Sequence, residues 1–243
     1  MFEALDPEKI IATLEKLQSR INERFPGSGL SGVSGELLGI AKTTSANIVE
    51  IARPQIGLRL LVGLLLALAA GMIVLLGLRA IDLRASNELT SIMQGIDASV
   101  SLLIVLGGAA YYLSTLEARW RNDKALAGLH RLRSIVHIID MHQLPKDPSA
   151  YGGPRTTSSP ARDMTPFELM RYLGYCSELL SLSGKVAALY ADKLRDPVVV
   201  EAVGDIERLT TELSQKIWQK IVLTGDHQRL FAGETNPFSK ALS

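Results

Sequence analysis

The stretch Leu60–Leu78, LLVGLLLALAAGMIVLLGL, runs for nineteen residues without a charged or strongly polar side chain. An α-helix rises about 1.5 Å per residue, so a helix of this length nearly crosses a hydrocarbon core roughly 30 Å thick. A core helix of a water-soluble protein is rarely apolar on every face over such a distance. The stretch therefore predicts a transmembrane helix, which we place at residues 56–78.

A second apolar segment follows after a short polar connection. Residues 79–91 carry two arginines and two acidic residues and are electrically neutral, while Leu102–Leu113 is again apolar. We place a second span at residues 92–114. Residues 56–114 are thus predicted to form a transmembrane hairpin.

The second span differs from the first because polar side chains occupy its first half. On a helix, five of its residues fall on one stripe: Gln94, Asp97, Ser101, Val105 and Gly108. An aspartate facing lipid would be costly, so Asp97 is expected to face protein, water or the headgroups. Two readings stay open. The span could begin near Asp97, or the stripe could line a pore in which Asp97 forms an acidic ring in an oligomer.

The first span carries small residues at a spacing of four, which puts Gly63, Ala67 and Gly71 on one helix face. Small side chains allow another membrane helix to approach closely. We interpret this face as a helix-packing surface.

Flanking charges predict the orientation of the hairpin. Lys42 and Arg53 precede it, and five further cations follow it: Arg119, Arg121, Lys124, Arg131 and Arg133. The positive-inside rule therefore places both termini in the cytoplasm. Residues 1–24 are charged throughout and do not resemble a signal peptide.

The rest of the chain reads as helices. In residues 1–55, an amphipathic helix over 6–25 is followed by a Gly/Ser-rich flexible linker at 26–35 and a second helix from Glu36 to about Ala52. The apolar face of the first helix is expected either to pack against another helix or to lie on the membrane surface. Residues 115–225 are predicted to form a cytoplasmic helical domain interrupted by a loop at 143–165, and 226–243 a polar tail. The predicted fold is an all-α membrane protein.

Composition excludes several functions. The net charge of +1, from 26 basic and 25 acidic residues, argues against a polycation that coats nucleic acid. The single cysteine, Cys176, cannot form an internal disulfide, and a packed role is favoured over a nucleophilic one. His137, Asp140 and His142 are close in sequence, but packing or capping is favoured over a metal site. No catalytic motif is present, so we predict neither catalysis nor a metal nor a cofactor.

One constellation of cations could serve a phosphate ligand. It surrounds the Gly/Ser/Thr-rich loop at 143–165 and consists of Arg131, Arg133, Lys146, Arg155, Arg162 and Arg171. Cations neutralise phosphate charge, while exposed backbone N–H groups and hydroxyls donate hydrogen bonds to it. The alternative is a solvated basic loop near anionic lipid headgroups.

The architecture resembles the two-span membrane effectors of bacterial anti-phage systems that are paired with a nucleotidyltransferase, namely the SLATT effectors and the channel subunit of the Hailong system. The stretches HIIDMHQL (137–144) and MTPFELMRYLGYCSELL (164–180) also resemble a widespread group of bacterial membrane proteins. The resemblance implies an oligomeric channel, such as a tetramer, in the bacterial inner membrane. It also implies gating by a nucleotide-derived ligand, which in a Hailong-type protein would be a DNA oligomer made by the partner enzyme.

Three hypotheses follow. The first is a ligand-gated, pore-forming effector that depolarises the cell, and since two spans cannot enclose a pore, it requires a homo-oligomer. The second is a non-conducting membrane-anchored adaptor that recruits a protein partner through its cytoplasmic helices. The third, an enzyme on a membrane tether, is disfavoured by the absence of catalytic motifs.

Overall fold

The computed structural model describes residues 5–53, 56–83, 89–146, 157–159 and 164–231. These residues form six α-helices and no strand, so the predicted all-α class is confirmed. The helices are α1 (Pro7–Arg24), α2 (Gly29–Ala52), α3 (Ile56–Leu83), α4 (Leu89–Gln143), α5 (Pro166–Lys193) and α6 (Pro197–Phe231).

The chain divides into two compact units. The hairpin unit comprises Arg53–Asp123, and the helical unit comprises Met1–Ala52 together with Lys124–Ser243. The N-terminal helices α1 and α2 therefore belong to the same unit as α5 and α6, a placement that the sequence alone left open. Helix α4 contributes residues to both units.

Helix α1 begins and packs as its sequence predicts. The Asp6 side chain caps it by accepting hydrogen bonds from the backbone N–H groups of Glu8 and Lys9, and Pro7 occupies the first helical position. Its apolar stripe is buried in the core of the helical unit: Ile10, Leu14, Leu17 and Ile21. The packing interpretation of this face is confirmed, and its alternative, a face lying on the membrane surface, does not hold.

The predicted flexible linker at 26–35 is wrong, because α2 already begins at Gly29. Glycine in a helix costs roughly 1 kcal/mol relative to alanine. Here the cost is offset by burial of Leu30, Val33 and Leu37, which lie on one face of the helix. The many Gly and Ser residues of this segment predicted a break in the helix. The apolar residues are spaced as on one helix face, and their burial stabilises the helix instead.

Helix α5 is the centre of the helical unit. Thr165 and Glu168 form the predicted capping box: the Thr165 hydroxyl accepts from the Glu168 N–H, and the Glu168 carboxylate accepts from the Thr165 N–H. Helix α6 packs along α5 and continues to Phe231. The polar tail was predicted to start at residue 226, but the helix continues to Phe231, beyond the last residue of its apolar stripe.

The C-terminal end of α4 is fixed to α6 by a charged hydrogen-bond donor. Lys220 Nζ donates to the backbone oxygen of Gln143 at 3.1 Å and to its side-chain oxygen at 2.8 Å. The Gln143 amide in turn donates to Asp140 at 2.6 Å. Gln143 is buried, so these bonds satisfy polar groups that are withdrawn from water.

The hairpin unit contains α3 and the first part of α4. Arg59 near the start of α3 bonds to Glu117 of α4 through two nitrogens, at 3.2 and 3.4 Å, and the Glu117 side chain is buried. In the described part of the chain, no helix meets the length and hydropathy required of a membrane span.

We predict that Lys220→Met destabilises the protein by about 1–3 kcal/mol, because the buried Gln143 oxygens lose a charged donor. Thermal unfolding of the purified chain, followed by circular dichroism, would measure the loss. Lys216→Met, on the exposed side of α6 one turn earlier, is the matched control. Equal losses in the two variants would contradict a specific role for the Lys220–Gln143 contact.

Candidate functional site

The six cations predicted to bind phosphate are not all brought to one place. Lys146 and Arg171 join a surface cluster built on α1 and α5, while Arg131 lines a separate cavity. Arg133 is exposed on α4 and lines neither. Arg155 and Arg162 lie outside the described residues. Of the four cations that the structure describes, it therefore brings two together, Lys146 and Arg171.

The surface cluster, which we call the basic–aromatic cluster, places four cations over aromatic rings. Arg171 and Arg20 lie 4.9 and 5.9 Å from the centre of the Tyr175 ring. Lys146 lies 5.5 Å from the Tyr172 ring, and Arg24 lies 5.6 Å from the Phe167 ring. The cluster thus consists of Arg20, Arg24, Lys146, Arg171, Phe167, Tyr172 and Tyr175, with Phe25 behind it.

Phe25 connects the two helices that carry the cluster. It follows the last turn of α1, and its ring meets Tyr172 and Tyr175 edge to face at 5.3 and 6.2 Å. Both tyrosines are buried, so their rings are fixed by the core. Edge-to-face aromatic pairs add about 0.5–1.5 kcal/mol beyond the area that they bury. The rings therefore form a rigid base on which the cations lie.

The charges of the cluster are only partly balanced. Arg20 donates to Glu178 at 2.7 Å. Within the described residues, Arg24, Lys146 and Arg171 form no ion pair. Capping hydrogen bonds from Thr165 hold the pKa of Glu168 below its usual value, and the nearby positive charge of Arg24 adds to this effect. Glu168 therefore stays ionised, yet the cluster keeps an excess of positive charge.

This arrangement suits a ligand with several negative charges. A guanidinium held over an aromatic face keeps its outward N–H groups available for phosphate oxygens, and fixing its position beforehand reduces the entropy lost on binding. The rings under Lys146 and Arg171 are themselves buried, so they position cations rather than stack with a base.

Sequence reasoning missed Arg20 and Arg24. They lie one turn apart at the end of α1, far along the chain from α5. Their only signal was a pair of cations near the end of an amphipathic helix, which is also typical of a solvated helix face. Only packing of α1 against α5 makes them part of the cluster.

Behind the cluster lie two titratable groups that are withdrawn from water. Burial raises the pKa of the Cys176 thiol to about 12, a rise that the positive charges of Lys220 and Lys146 oppose only in part. Burial also raises the pKa of Tyr172, and the neighbouring Cys176 adds to the rise. Both groups stay neutral in the folded protein, which agrees with a packed role for Cys176.

The predicted pore stripe lies on α4 in the hairpin unit. Asp97, Ser101, Val105 and Gly108 are all exposed, while the side chain of Gln94 lies outside the described residues. The proposed packing face on α3 is exposed too, and a Cβ added at Gly63 or Gly71 would meet no described atom within 4 Å. At its described positions, each surface is therefore exposed in the single chain.

The histidines near the end of α4 do not form a metal centre with described neighbours, since no group of three or more candidate ligands occurs among the described residues. His142 instead packs against the start of α2. A Cβ added at Gly29 would lie 2.2 Å from its ring, which explains why a glycine suits that position.

The chain matches no known family, no curated protein and no solved structure.

We predict that Cys176 resists alkylation in the folded protein. At about pH 8, a pKa near 12 lowers the thiolate fraction by roughly a thousandfold relative to an ordinary cysteine, and thiolate is the reacting form. Maleimide labelling followed by mass spectrometry should be slow in the native chain and fast after denaturation. A Cys176→Ala, Ser181→Cys variant, with its thiol at an exposed position of α5, is the control and should label readily. Rapid native labelling of Cys176 would contradict its burial.

Proposed function

We propose that this protein is a homo-oligomeric, pore-forming membrane effector whose opening is controlled by a nucleotide or oligonucleotide ligand. Its biological role would be bacterial anti-phage defence, in which opening depolarises the inner membrane. The role in defence and the partnership with a nucleotidyltransferase derive from the resemblance in architecture. The membrane and ligand components are supported by particular residues.

The observation that carries the proposal is the exposure of apolar side chains along α3. Each of the following is 47–68% exposed: Ile56, Leu60, Leu61, Leu64, Leu66, Leu68, Met72, Val74, Leu75 and Leu78. Exposed apolar surface of this extent is typical of a membrane or protein contact. Since the described helices give no span by length and hydropathy, the membrane assignment depends on the uncharged run Leu60–Leu78 together with this exposure.

A pore would require several copies of the hairpin, because two helices cannot enclose one. The exposed positions Asp97, Ser101, Val105 and Gly108 on α4 would then face the axis of the oligomer. The small-residue face of α3, at Gly63, Ala67 and Gly71, would pack against a neighbouring helix. The exposure of the described positions of both surfaces supports this arrangement.

The ligand would bind at the basic–aromatic cluster. Its excess of positive charge and its fixed guanidinium groups favour a polyanion. A bound ligand can shift a two-state equilibrium only by binding the two states differently. Helix α4 contributes residues to both units and ends at Gln143, three residues before Lys146, a member of the cluster. It is therefore the element through which ligand binding would bias the closed and open packings.

The non-conducting adaptor is the competing function. Trp218 is 64% exposed and borders a groove between α5 and α6 that hydroxyl-bearing residues line, including Ser177, Thr211 and Ser214. Exposed tryptophan is enriched at protein interfaces. An adaptor would use this surface, would conduct no ions, and would keep its activity on an unrelated membrane anchor.

We expect purified protein in planar bilayers to conduct, and Asp97→Lys to reduce cation conductance or to reverse ion selectivity, because it replaces an acidic ring by a basic one. Asp97→Ala should reduce cation preference with a smaller effect. Asp123→Lys, a charge reversal at the exposed end of the hairpin unit, serves as the control. Unchanged conductance and selectivity in both Asp97 variants would remove this residue from a pore, and absence of conductance would favour the adaptor.

We expect a fluorescent single-stranded DNA oligomer to bind the detergent-purified protein, and Lys146→Gln and Arg171→Gln each to weaken binding about tenfold. This magnitude corresponds to loss of one charge-assisted contact. Lys185→Gln, at an exposed position farther along α5, is the matched control. Fluorescence anisotropy at several salt concentrations measures the change.

Two outcomes, one from this titration and one from a parallel measurement with lipid vesicles, would count against the cluster as the ligand site. One is equal weakening in all three variants, which indicates nonspecific attraction. The other is binding to anionic lipid vesicles, but not to the oligomer, that depends on Lys146 and Arg171. That result would support the lipid-headgroup alternative.

A further inference from the structure

A cavity in the helical unit lies apart from the basic–aromatic cluster. It occupies about 410 Å³ between α2, α4 and α5. Its lining shares no residue with the cluster. The residues that carry its chemistry are Glu36, Thr43, Thr44 and Asn47 of α2, Lys124 and Arg131 of α4, and Tyr190 of α5.

The floor of the cavity is a buried pair of hydroxyls. The Tyr190 and Thr44 hydroxyl oxygens lie 3.2 Å apart, and both residues are buried. Directly beside them, a Cβ added at Gly128 would lie 2.1 Å from the Tyr190 hydroxyl. Only a glycine at this position of α4 lets the tyrosine reach Thr44. The floor is thus built from three helices, and its hydroxyls can still accept or donate a further hydrogen bond.

Two cations of α4, Lys124 and Arg131, line the same cavity. Lys124, Gly128 and Arg131 fall on one face of the helix, and the two cations are about 10 Å apart along its axis. Gly128 lies between them and has no side chain, so both long side chains can reach toward a group above it. Within the described residues, Arg131 forms no ion pair. Because both cations line the cavity, an anion bound there would lie close to positive charge.

The opposite wall on α2 is polar and almost neutral. His142 packs on Gly29, and Gly128 meets the Tyr190–Thr44 pair, so α2 and α4 run antiparallel. This register puts Asn47 toward the Lys124 end of the cavity and Glu36 toward the Arg131 end. Thr43 and Asn47 supply uncharged hydrogen-bonding groups, whereas the Glu36 carboxylate accepts hydrogen bonds and donates none. A carboxylate at one end disfavours a ligand that is anionic along its whole length.

We propose that this cavity binds a small phosphomonoester of nucleoside monophosphate size. The phosphate lies over Gly128, between Lys124 and Arg131, and accepts a hydrogen bond from the Tyr190 hydroxyl. The uncharged body of the ligand lies along α2 toward the Arg131 end of the cavity, where its hydroxyl or amino groups donate to Glu36. A cavity of this volume falls within the range of sites for small ligands.

This site is independent of the pore and of the surface cluster. A polyanion that spans many residues fits the exposed cluster, whereas the cavity accepts one phosphate and one compact polar body. Binding at the cavity can therefore succeed or fail whatever the conductance measurements give.

The test is a thermal-shift and calorimetric titration of the full chain in detergent, with inorganic phosphate, the four common nucleoside 5′-monophosphates and the corresponding nucleosides as probes. We expect at least one monophosphate to raise the Tm and to bind at least tenfold tighter than its nucleoside. Inorganic phosphate should bind weakly at the same place and compete with it. If neither phosphate nor any of the four monophosphates binds, the proposal is wrong.

Variants assign the binding to the cavity. Arg131→Gln and Lys124→Gln should each weaken binding about tenfold or more, and Thr44→Val should weaken it less while keeping the shape of the floor. Arg133→Gln is the charge-matched control, two residues along α4 from Arg131 and outside the cavity. If Arg133→Gln weakens binding as much as Arg131→Gln does, the attraction is nonspecific and the site is refuted.

Gly128→Ala supplies a second measurement, since its Cβ would displace the Tyr190 hydroxyl. We expect it to abolish monophosphate binding but to leave DNA-oligomer binding at the basic–aromatic cluster intact. Should this variant fail to fold, the comparison of Arg131→Gln with Arg133→Gln, both at exposed side chains, still decides the question.

Discussion

Burial of α5 is the constraint on which the helical unit depends. Half of its 28 residues are buried, and they extend around the helix rather than along one stripe. A helix that is apolar on several faces must be covered on several sides. Helices α1, α2 and α6 pack against it directly, and α4 reaches it through Gly128 and Tyr190. The N-terminal helices α1 and α2 are therefore part of this core.

The same constraint places both candidate sites. A buried tyrosine brings a ring into the core and a hydroxyl to its edge. Near the start of α5, the Tyr172 and Tyr175 rings fix the cations of the basic–aromatic cluster, and near its end Tyr190 forms the floor of the cavity. Tyr172 and Tyr190 are eighteen residues apart, or about 27 Å along the helix. A compact ligand cannot occupy both places, so the two sites can differ in what they bind.

The features that could be predicted from the sequence are those that depend on residues close together along the chain. The Asp6 cap, the Thr165–Glu168 capping box and the helical stripes of α1 and α6 all follow from spacings of three or four residues. The glycines of residues 26–35 misled the prediction, because their local cost is outweighed by burial of Leu30 and Leu37 against other helices. The grouping of Arg131 with Lys146 and Arg171 differs from the structure for a similar reason. Arg20 and Arg171 lie over the same Tyr175 ring because α1 packs against α5, which no local pattern encodes, and Arg131 lines a cavity whose other walls come from α2 and α5.

Helices α1 and α3 differ in how their apolar residues are distributed around the helix. In α1 the apolar residues recur every three or four positions and are buried in the core, and charged residues lie on the remaining faces. In α3 neighbouring positions such as Leu60 and Leu61, or Val74 and Leu75, are both exposed. Successive residues point about 100° apart on a helix, so this apolar surface cannot be covered by a single partner helix. Covering it requires either a lipid environment or contacts with more than one helix, and the oligomeric membrane hairpin that we propose would provide both.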